Sequence, residues 1–193
     1  MHVRLGLPEH LKPQAAVLYW QAFGGKLGRV MGPEARAHAF LLRVLRADHC
    51  ICALSDDGQL LGIAGFKSWQ GSFAGGAPED LRAVYGWLGA AWRGALLRLL
   101  QSEIDNDRFL IDGICVAREA RGHGVGSALV AALMAEATAR GYRAIRLEVI
   151  DTNIRARALY ERLGFAAWRV ETLGPLRHVF GFSRAVTMVR ALP

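Results

Sequence analysis

A glycine-rich segment, RGHGVGS at residues 121–127, constrains the fold of this chain more than any other feature. It follows an apolar run, FLIDGICV at residues 109–116, and precedes residues 124–140, whose apolar side chains recur at helical spacing. This order predicts a strand, a tight turn and a helix, as in α/β proteins. The backbone N–H groups of such a turn and the dipole of the following helix attract anions, so the turn is also a candidate phosphate site.

The glycines suit this role because they adopt positive φ without a Cβ penalty and let a phosphate approach the backbone closely. Arg121 adds a positive charge at the mouth of the turn. The segment is not a Walker loop, since the chain contains no G-x-x-x-x-G-K-[ST] string, and its glycines match only the first half of G-x-G-x-x-G. A tight turn that binds nothing is therefore the alternative interpretation.

A second segment strengthens the phosphate interpretation. Residues 144–150, AIRLEVI, form another predicted strand, and a short predicted helix runs over residues 153–163, with Gly164 as its C-terminal stop. Together the two segments resemble the GNAT family of N-acetyltransferases, in close detail over residues 109–168. The first matches the family's acetyl-CoA motif [R/Q]-x-x-G-x-[G/A] at Arg121, Gly124 and Gly126. The later motif, N-x-x-A-x-x-L-Y-x-x-x-G-F, matches at Asn153, Ala156, Leu159, Tyr160, Gly164 and Phe165.

The resemblance implies a fold and a coenzyme. We expect residues 1–193 to form a single α/β domain of the three-layer acetyltransferase type, with a helical insertion around residues 78–104. Its central mixed, mostly antiparallel sheet should be flanked by helices and splayed between the coenzyme strand and the next strand. The implied partners are acetyl-CoA, as co-substrate, and an amine acceptor that the sequence does not identify. A non-catalytic acyl-CoA-binding domain of the same fold is the alternative.

The resemblance also assigns coenzyme contacts to individual positions. The pyrophosphate is expected on the loop, and the pantetheine is expected beside the 109–116 strand, where a backbone N–H would also polarise the thioester carbonyl. Two residues of the later motif complete the coenzyme site. The expected contacts are Cys115, Val116, Arg121, Gly122, His123, Gly124, Val125, Gly126, Ser127, Asn153 and Tyr160. Asn153 has a second interpretation, as the cap of the helix that follows it. His123 is assigned no catalytic role.

Acetyl transfer to an amine also needs a base, because an aliphatic amine with a pKa near ~10 is protonated at neutral pH. Glu148 is the first candidate, since its spacing to Asn153 and Tyr160 matches acetyltransferases of the ribosomal-protein alanine type. Asp112 is the second candidate. Either carboxylate can instead be a polar residue without catalytic duty. Tyr160 is the candidate acid for the leaving thiolate, because a phenol stays protonated at neutral pH, and its alternative role is packing on the coenzyme.

The rest of the chain supplies the other expected elements. We predict a strand at residues 3–7, a helix over residues 8–23 that Gly24, Gly25 and later glycines end, and a second helix over residues 33–45. A hairpin at residues 49–69 turns at Asp57-Gly58. Short strands at residues 166–170 and 186–191 close the domain.

Residues 81–103, LRAVYGWLGAAWRGALLRLLQSE, match no part of the family motifs. As a helix, this segment would be apolar around most of its circumference, and its uninterrupted apolar stretch is shorter than the ~20 residues of a membrane span. A packed helix or helix pair, a dimer interface, an acceptor pocket and a membrane-surface helix are the alternatives. We predict that Trp87 or Trp92 contacts a second chain or walls the acceptor cleft, and that the protein is a homodimer.

Composition excludes several classes and leaves others open. The net charge of +7 comes from scattered arginines, since only three residues are lysine. The chain contains no contiguous basic run of the kind that indicates nucleic-acid binding. A basic nucleic-acid-binding protein, whose affinity would fall steeply with salt, is a further alternative. Cys50, Cys52 and Cys115 lack the spacing of a metal site, so no metal is expected. The first ten residues lack the apolar core of a signal peptide, so we expect a cytoplasmic protein with no membrane partner.

Overall fold

A computed structural model describes residues 1–98 and 107–193. Its strands are β1 (His2–Leu5), β2 (Cys50–Leu54), β3 (Leu60–Ser68), β4 (Gly71–Ser72), β5 (Arg108–Val116), β6 (Ala144–Ile150), β7 (Ala166–Thr172) and β8 (Arg184–Ala191). Its helices are α1 (Lys12–Met31), α2 (Glu34–Val44), α3 (Pro78–Arg98), α4 (Val125–Ala139), α5 (Ile154–Arg162) and α6 (Arg177–Phe180). None of these helices is long and apolar enough to cross a membrane.

The strands form one mixed sheet in the order β1-β2-β3-β5-β6-β8-β7, with β4 paired to β3. The β5–β6 pair is parallel and the other pairs are antiparallel. The β2–β3 hairpin turns at Gly58, which has a φ of 83°, as the Asp-Gly signal predicts. The predicted mixed, mostly antiparallel sheet flanked by helices is therefore confirmed.

The sheet opens between its two parallel strands. Cα partners of β5 and β6 run from Arg108↔Ala144 to Leu110↔Arg146, although β5 continues to Val116 and β6 to Ile150. The carboxyl-terminal halves of the two strands therefore diverge, which confirms the predicted splay. A β-bulge lies at the same place: Phe66 of β3 pairs with Ile111 and Gly65 pairs with Gly113, which leaves Asp112 as the extra residue of β5.

Helices cover both faces of the sheet. In β2, Ile51 and Ala53 pack in one core cluster while Cys50 and Cys52 pack in another, as the alternation of a strand requires. The first cluster buries α4 and α5 residues and defines one layer, and the second buries α1. A third cluster joins the end of α1 to α2, α3 and α6. The buried Cys50 and Cys52 confirm their prediction as small core residues.

Helix α1 is longer than predicted. The glycines after Phe23 were expected to end it, but it continues to Met31. A glycine within a helix costs about 0.5–1 kcal/mol relative to alanine. Burial of an apolar side chain returns about 1.5–3 kcal/mol, and both Val30 and Met31 at the end of the helix are buried. Tertiary packing therefore outweighs the local glycine signal and places Lys26 on a helix.

The apolar insertion is a helix pair rather than one straight helix. Gly86 has a φ of 70° and a ψ of 176°, so the backbone of α3 bends there in a conformation that glycine favours. Leu81, Tyr85 and Ala90 are buried against the α1 side of the molecule, and the Tyr85 hydroxyl donates to the carbonyl of Met31. Residues 99–103 of the predicted segment lie outside the described residues.

Candidate active site

A cavity of about 1140 Å³ passes through the splay. On one face of the sheet it is lined by side chains of α1, α2 and α3, including Phe23 and Trp87. It continues between β5 and β6 and reaches Ala156 and Tyr160 of α5, which belong to the opposite face. A ligand approaching from one face can therefore meet a ligand approaching from the other.

The glycine loop has the conformation of an anion site. Gly122 and Gly124 have φ values of 83° and 78°, and a Cβ at either position would meet no atom within 4 Å. Gly124 caps α4 without a side chain, and the first N–H of the helix to reach a backbone carbonyl is that of Ala128, at 3.0 Å from the Gly124 oxygen. The N–H groups of residues 125–127 are therefore the donors that a helix start leaves for a ligand.

Gly126 does not have the positive φ that was predicted for it. Its φ lies outside the left-handed region, and a Cβ there would lie 3.2 Å from Cδ2 of Leu159. Absence of a side chain thus lets α4 pack closely on α5. Val125 is also a core residue, exposed by only 2%, so its backbone N–H is the group that it offers to a ligand.

Arg121 and His123 shape the loop from outside. Nε of Arg121 donates to the carbonyl of Val116 at 3.1 Å, which ties the loop back to the end of β5. Nδ1 of His123 lies 3.1 Å from the carbonyl oxygen of Arg121. Cys115 points away from this side: its thiol is buried near α1, and burial raises its pKa. Only the backbone of Cys115 is available to a ligand in the splay.

Tyr160 lies on the wall of the cavity and is exposed by only 8%. Burial raises its pKa to about 12, so the phenol carries its proton at neutral pH. Asn153 lines the same cavity, and its Oδ1 accepts the N–H of Ala156 at 3.3 Å. The helix-cap interpretation of Asn153 is therefore confirmed, and the cap fixes the start of the helix that carries Tyr160.

The two predicted carboxylates line the same cavity from different strands. Glu148 is an exposed residue of β6, in a strand whose alternate residues Leu147 and Val149 are buried on the α4 side. The carboxylate of Asp112, the bulge residue of β5, has two partners within the protein. It lies 3.6 Å from Nζ of Lys67 and accepts the N–H of Ala74 at 3.1 Å.

The cavity wall opposite the strands, which is charged and aromatic, was not predicted from the sequence. Lys26 of α1 lines the cavity, with Nζ 5.6 Å from the ring centre of Phe23 and 5.8 Å from that of Phe182. Burial lowers the pKa of Lys26, while the negative charges of Glu148 and Asp112 oppose that shift. Because α1 was predicted to end at Phe23, Lys26 was not predicted to lie on a helix or to line a site. Aromatic side chains of the same wall are Tyr19, Trp20, Phe23, Phe40, Trp87 and Phe180.

A Ser-His-Asp arrangement elsewhere in the fold is structural. Nε2 of His49 lies 2.9 Å from Oγ of Ser68, and Nδ1 lies 3.1 Å from a carboxylate oxygen of Asp48. Hydrogen bonds from Arg46 lower the pKa of Asp48 to about 2. His49 and Ser68 are each exposed by only 2%, so a substrate cannot reach the serine as it does in hydrolases. Within residues 1–98 and 107–193, no group of three or more His, Cys, Asp or Glu side chains could hold a metal ion.

Comparison with known proteins agrees with this geometry. The family model described as "Acetyltransferase (GNAT) family" matches residues 14–165. A curated relative, "Probable N-acetyltransferase camello" of Xenopus tropicalis, is 37% identical over 75 residues, which cover 39% of this chain. The match spans 34% of the length of that relative.

Two solved structures illustrate the likeness of the fold. An N-acetyltransferase from Staphylococcus aureus Mu50 superposes with a TM-score of 0.68 at 14% identity, over 98% of this chain and 100% of that one. A putative streptothricin acetyltransferase from Bacillus anthracis str. Ames, in complex with acetyl coenzyme A, superposes with a TM-score of 0.51 at 19% identity, over 75% of this chain and 62% of that one. From the family match and the splayed sheet, we conclude that the chain belongs to the acetyltransferase (GNAT) family.

Proposed function

We propose that this protein is an acetyl-CoA-dependent N-acetyltransferase that moves an acetyl group to a primary amine of a small molecule, peptide or protein. One observation carries the proposal: the cavity crosses the splayed sheet and joins a wall that contains Tyr160 to a wall that contains Glu148. Family membership supports acyl transfer, and a bound acetyl coenzyme A in the Bacillus anthracis structure supports the choice of donor.

The coenzyme would use the α4–α5 face. Its pyrophosphate would accept hydrogen bonds from the N–H groups of residues 122–127, and Arg121 would add positive charge at the edge of the loop. The pantetheine would run along the diverging part of β5 and pair with the backbone at Cys115 and Val116. A backbone N–H of β5 would then stabilise the negative charge that develops on the thioester oxygen.

The amine would arrive from the α1–α3 face. Glu148 would remove its proton, directly or through a water molecule, and the neutral nitrogen would attack the acetyl carbonyl. Tyr160 would then protonate the sulfur of the leaving CoA. Glu148 is favoured over Asp112 because its spacing to Asn153 and Tyr160 matches acetyltransferases of the ribosomal-protein alanine type.

The α3 insertion would act on the acceptor side and in assembly. Trp87 lines the cavity and is exposed by 69%, and Trp92 is exposed on the same helix pair. We place Trp87 in the wall of the acceptor site and a second copy of the chain against the exposed apolar surface, as a homodimer. The buried, free thiols of the three cysteines suit a reducing compartment such as the cytoplasm. Neither nucleic acid nor a membrane is a partner in this proposal.

Release of free CoA tests the proposal against its alternative, a non-catalytic acyl-CoA-binding domain. Calorimetry measures acetyl-CoA binding, and a thiol assay measures CoA release with a panel of amines, peptides and aminoglycoside-type antibiotics. We expect binding together with amine-dependent release. Binding without release for any amine would support the alternative, and absence of binding would contradict both.

A further inference from the structure

Lys26 places a primary amine inside the cavity. Because α1 continues past Gly24 and Gly25, this lysine sits on the helical wall that faces the splay. The side chain is partly buried, and its Nζ lies 5.6 Å and 5.8 Å from the ring centres of Phe23 and Phe182. Both rings lie within cation–π distance of Nζ, and Phe23 also lines the cavity.

The charges that act on Lys26 come from the strands of the splay. Glu148 lies on β6 and Asp112 on β5, and both raise the pKa of the lysine, whereas Lys67 on β3 lowers it. Lys26, Glu148 and Asp112 also line the same cavity, which passes between the two strands where the proposed thioester would lie. Of the two carboxylates, Glu148 has the larger effect on the pKa of Lys26, and Asp112 also lies 3.6 Å from Nζ of Lys67.

The chemical state of Lys26 also suits a nucleophile. A lysine with an ordinary pKa near ~10.4 is almost entirely charged at neutral pH and cannot attack a carbonyl. Burial lowers the pKa of Lys26, which increases the neutral fraction. Glu148, which would take the proton of an external amine, is also the charged residue with the largest effect on the pKa of Lys26.

We propose that Lys26 is an acetylation site of the protein's own activity, with acetyl-CoA as the donor. The inference rests on the proposed function and names an acceptor within the chain. The neutral Nζ attacks the acetyl carbonyl carbon, the N–C bond forms and the C–S bond breaks. The nitrogen gives its proton to Glu148, Tyr160 gives its proton to the thiolate, and solvent restores both groups. The products are Nε-acetyl-Lys26 and CoA.

The test is simple because the chain contains only three lysines, Lys12, Lys26 and Lys67, of which Lys26 and Lys67 line the cavity. The purified full chain is incubated with acetyl-CoA and no added amine, and acetylated peptides are quantified over time by mass spectrometry. Lys12, which lies 3.7 Å from Glu9 and outside the cavity lining, reports the non-enzymatic rate. We expect Lys26 to be acetylated on the order of tenfold faster than Lys12, because the reaction within the site is effectively unimolecular. The rate per molecule should not depend on protein concentration.

Three variants sharpen the result. Glu148→Gln should slow acetylation of Lys26 and leave that of Lys12 unchanged. Lys26→Arg should remove the fast modification while it keeps the positive charge, and Lys12→Arg is the matched control, which should retain it. The time course of the native chain carries the test even if a cavity variant fails to fold.

The possible outcomes separate the inference from the proposed function. Acetylation of Lys26 at the rate of Lys12, in a protein that binds acetyl-CoA and acetylates an added amine, would overturn the inference and leave the proposed function intact. A fast rate at Lys26 that Glu148→Gln does not change would also overturn it. A chain that neither binds acetyl-CoA nor releases CoA would overturn both.

Discussion

The two faces of the splayed sheet differ in the groups that they offer to a ligand. The α4–α5 face offers backbone N–H groups at residues 122–127, while nearby side chains such as that of Val125 are packed in the core. The α1–α3 face offers side chains, with Lys26, Glu148 and Trp87 lining the cavity. Backbone donors bind a phosphate whatever the neighbouring side chains are, whereas a wall of side chains can change without a change of fold.

The difference implies that coenzyme binding and acceptor chemistry in the proposed reaction depend on different parts of the structure. The proposed coenzyme site depends on loop conformation, so backbone strain should weaken it. The proposed acceptor site depends on charge and shape, so conservative side-chain changes should weaken it. A substitution that strains the loop is therefore expected to lower acetyl-CoA affinity, whereas a conservative side-chain change in the cavity is expected to change turnover or acceptor KM.

The largest effect is expected at Glu148. Glu148→Gln removes the proposed base but keeps the size of the side chain, and turnover at neutral pH should fall by roughly 10²-fold or more. The rate should recover as the pH approaches ~10, where the amine loses its own proton. A pH–rate profile with a saturating amine measures both effects, and acetyl-CoA affinity by calorimetry should stay constant.

Asp112→Asn is the matched control for Glu148→Gln. It weakens the contact with Lys67 and should lower the free energy of unfolding by about 1–3 kcal/mol. Its pH–rate profile should keep the wild-type shape. If the profile of Asp112→Asn shows the alkaline recovery instead, Asp112 is the base and the assignment of Glu148 is wrong.

Tyr160→Phe should lower turnover by about 10²-fold and leave the affinity for acetyl-CoA almost unchanged, because it removes a proton donor and keeps the ring. Tyr142→Phe provides the control, since Tyr142 packs 5.4 Å from the ring of Phe109 and does not line the cavity. Steady-state kinetics with both variants decide the matter. An unchanged kcat in Tyr160→Phe would show that Tyr160 is not the proton donor and contributes only through packing.

Gly124→Val should weaken acetyl-CoA binding by about tenfold or more, because a β-branched residue at a φ of 78° costs about 1–3 kcal/mol and its side chain projects toward the phosphate. Gly58→Val imposes the same strain, at a φ of 83°, in the distant β2–β3 turn. Calorimetry should find normal affinity in the folded Gly58 variant. Equal affinities in the two variants would contradict the phosphate site.

The smallest effect on coenzyme binding is expected from the α3 surface. The double substitution Trp87→Glu, Trp92→Glu should alter acceptor KM or assembly by several-fold, while acetyl-CoA affinity stays within experimental error. Light scattering measures the mass of the native and variant proteins. A monomer in both, with normal acceptor kinetics, would show that this surface is ordinary protein exterior and that the predicted interface and cleft wall are wrong.

The same contrast explains how much could be predicted from the sequence. The loop and the α5 motif were predictable because short contiguous segments build them, as with Gly122 and Gly124 at positive φ and Asn153 as a helix cap. The splay was predicted through the family resemblance that these segments carry. The α1 wall was not predictable. Lys26 lines the cavity because α1 continues past its glycines to Met31. Burial of Val30 and Met31 stabilises this extension of the helix.

The positive φ that local signals predicted for Gly126 was wrong. This glycine is instead required by the contact between α4 and Leu159, more than thirty positions away in sequence. The pair of Asp112 with Lys67 likewise depends on the bulge between β3 and β5. Contacts of this kind arise from strand register and helix packing, which local sequence patterns do not reveal.

A crystal structure of the full chain grown with acetyl-CoA would show directly whether the coenzyme occupies the splay. We expect the pyrophosphate oxygens to lie within hydrogen-bond distance of the N–H groups of residues 122–127. We also expect the pantetheine to lie between the diverging ends of β5 and β6, with the thioester near Tyr160 and open to Glu148. A coenzyme bound elsewhere, or one that leaves the splay empty, would show that the proposed site is wrong.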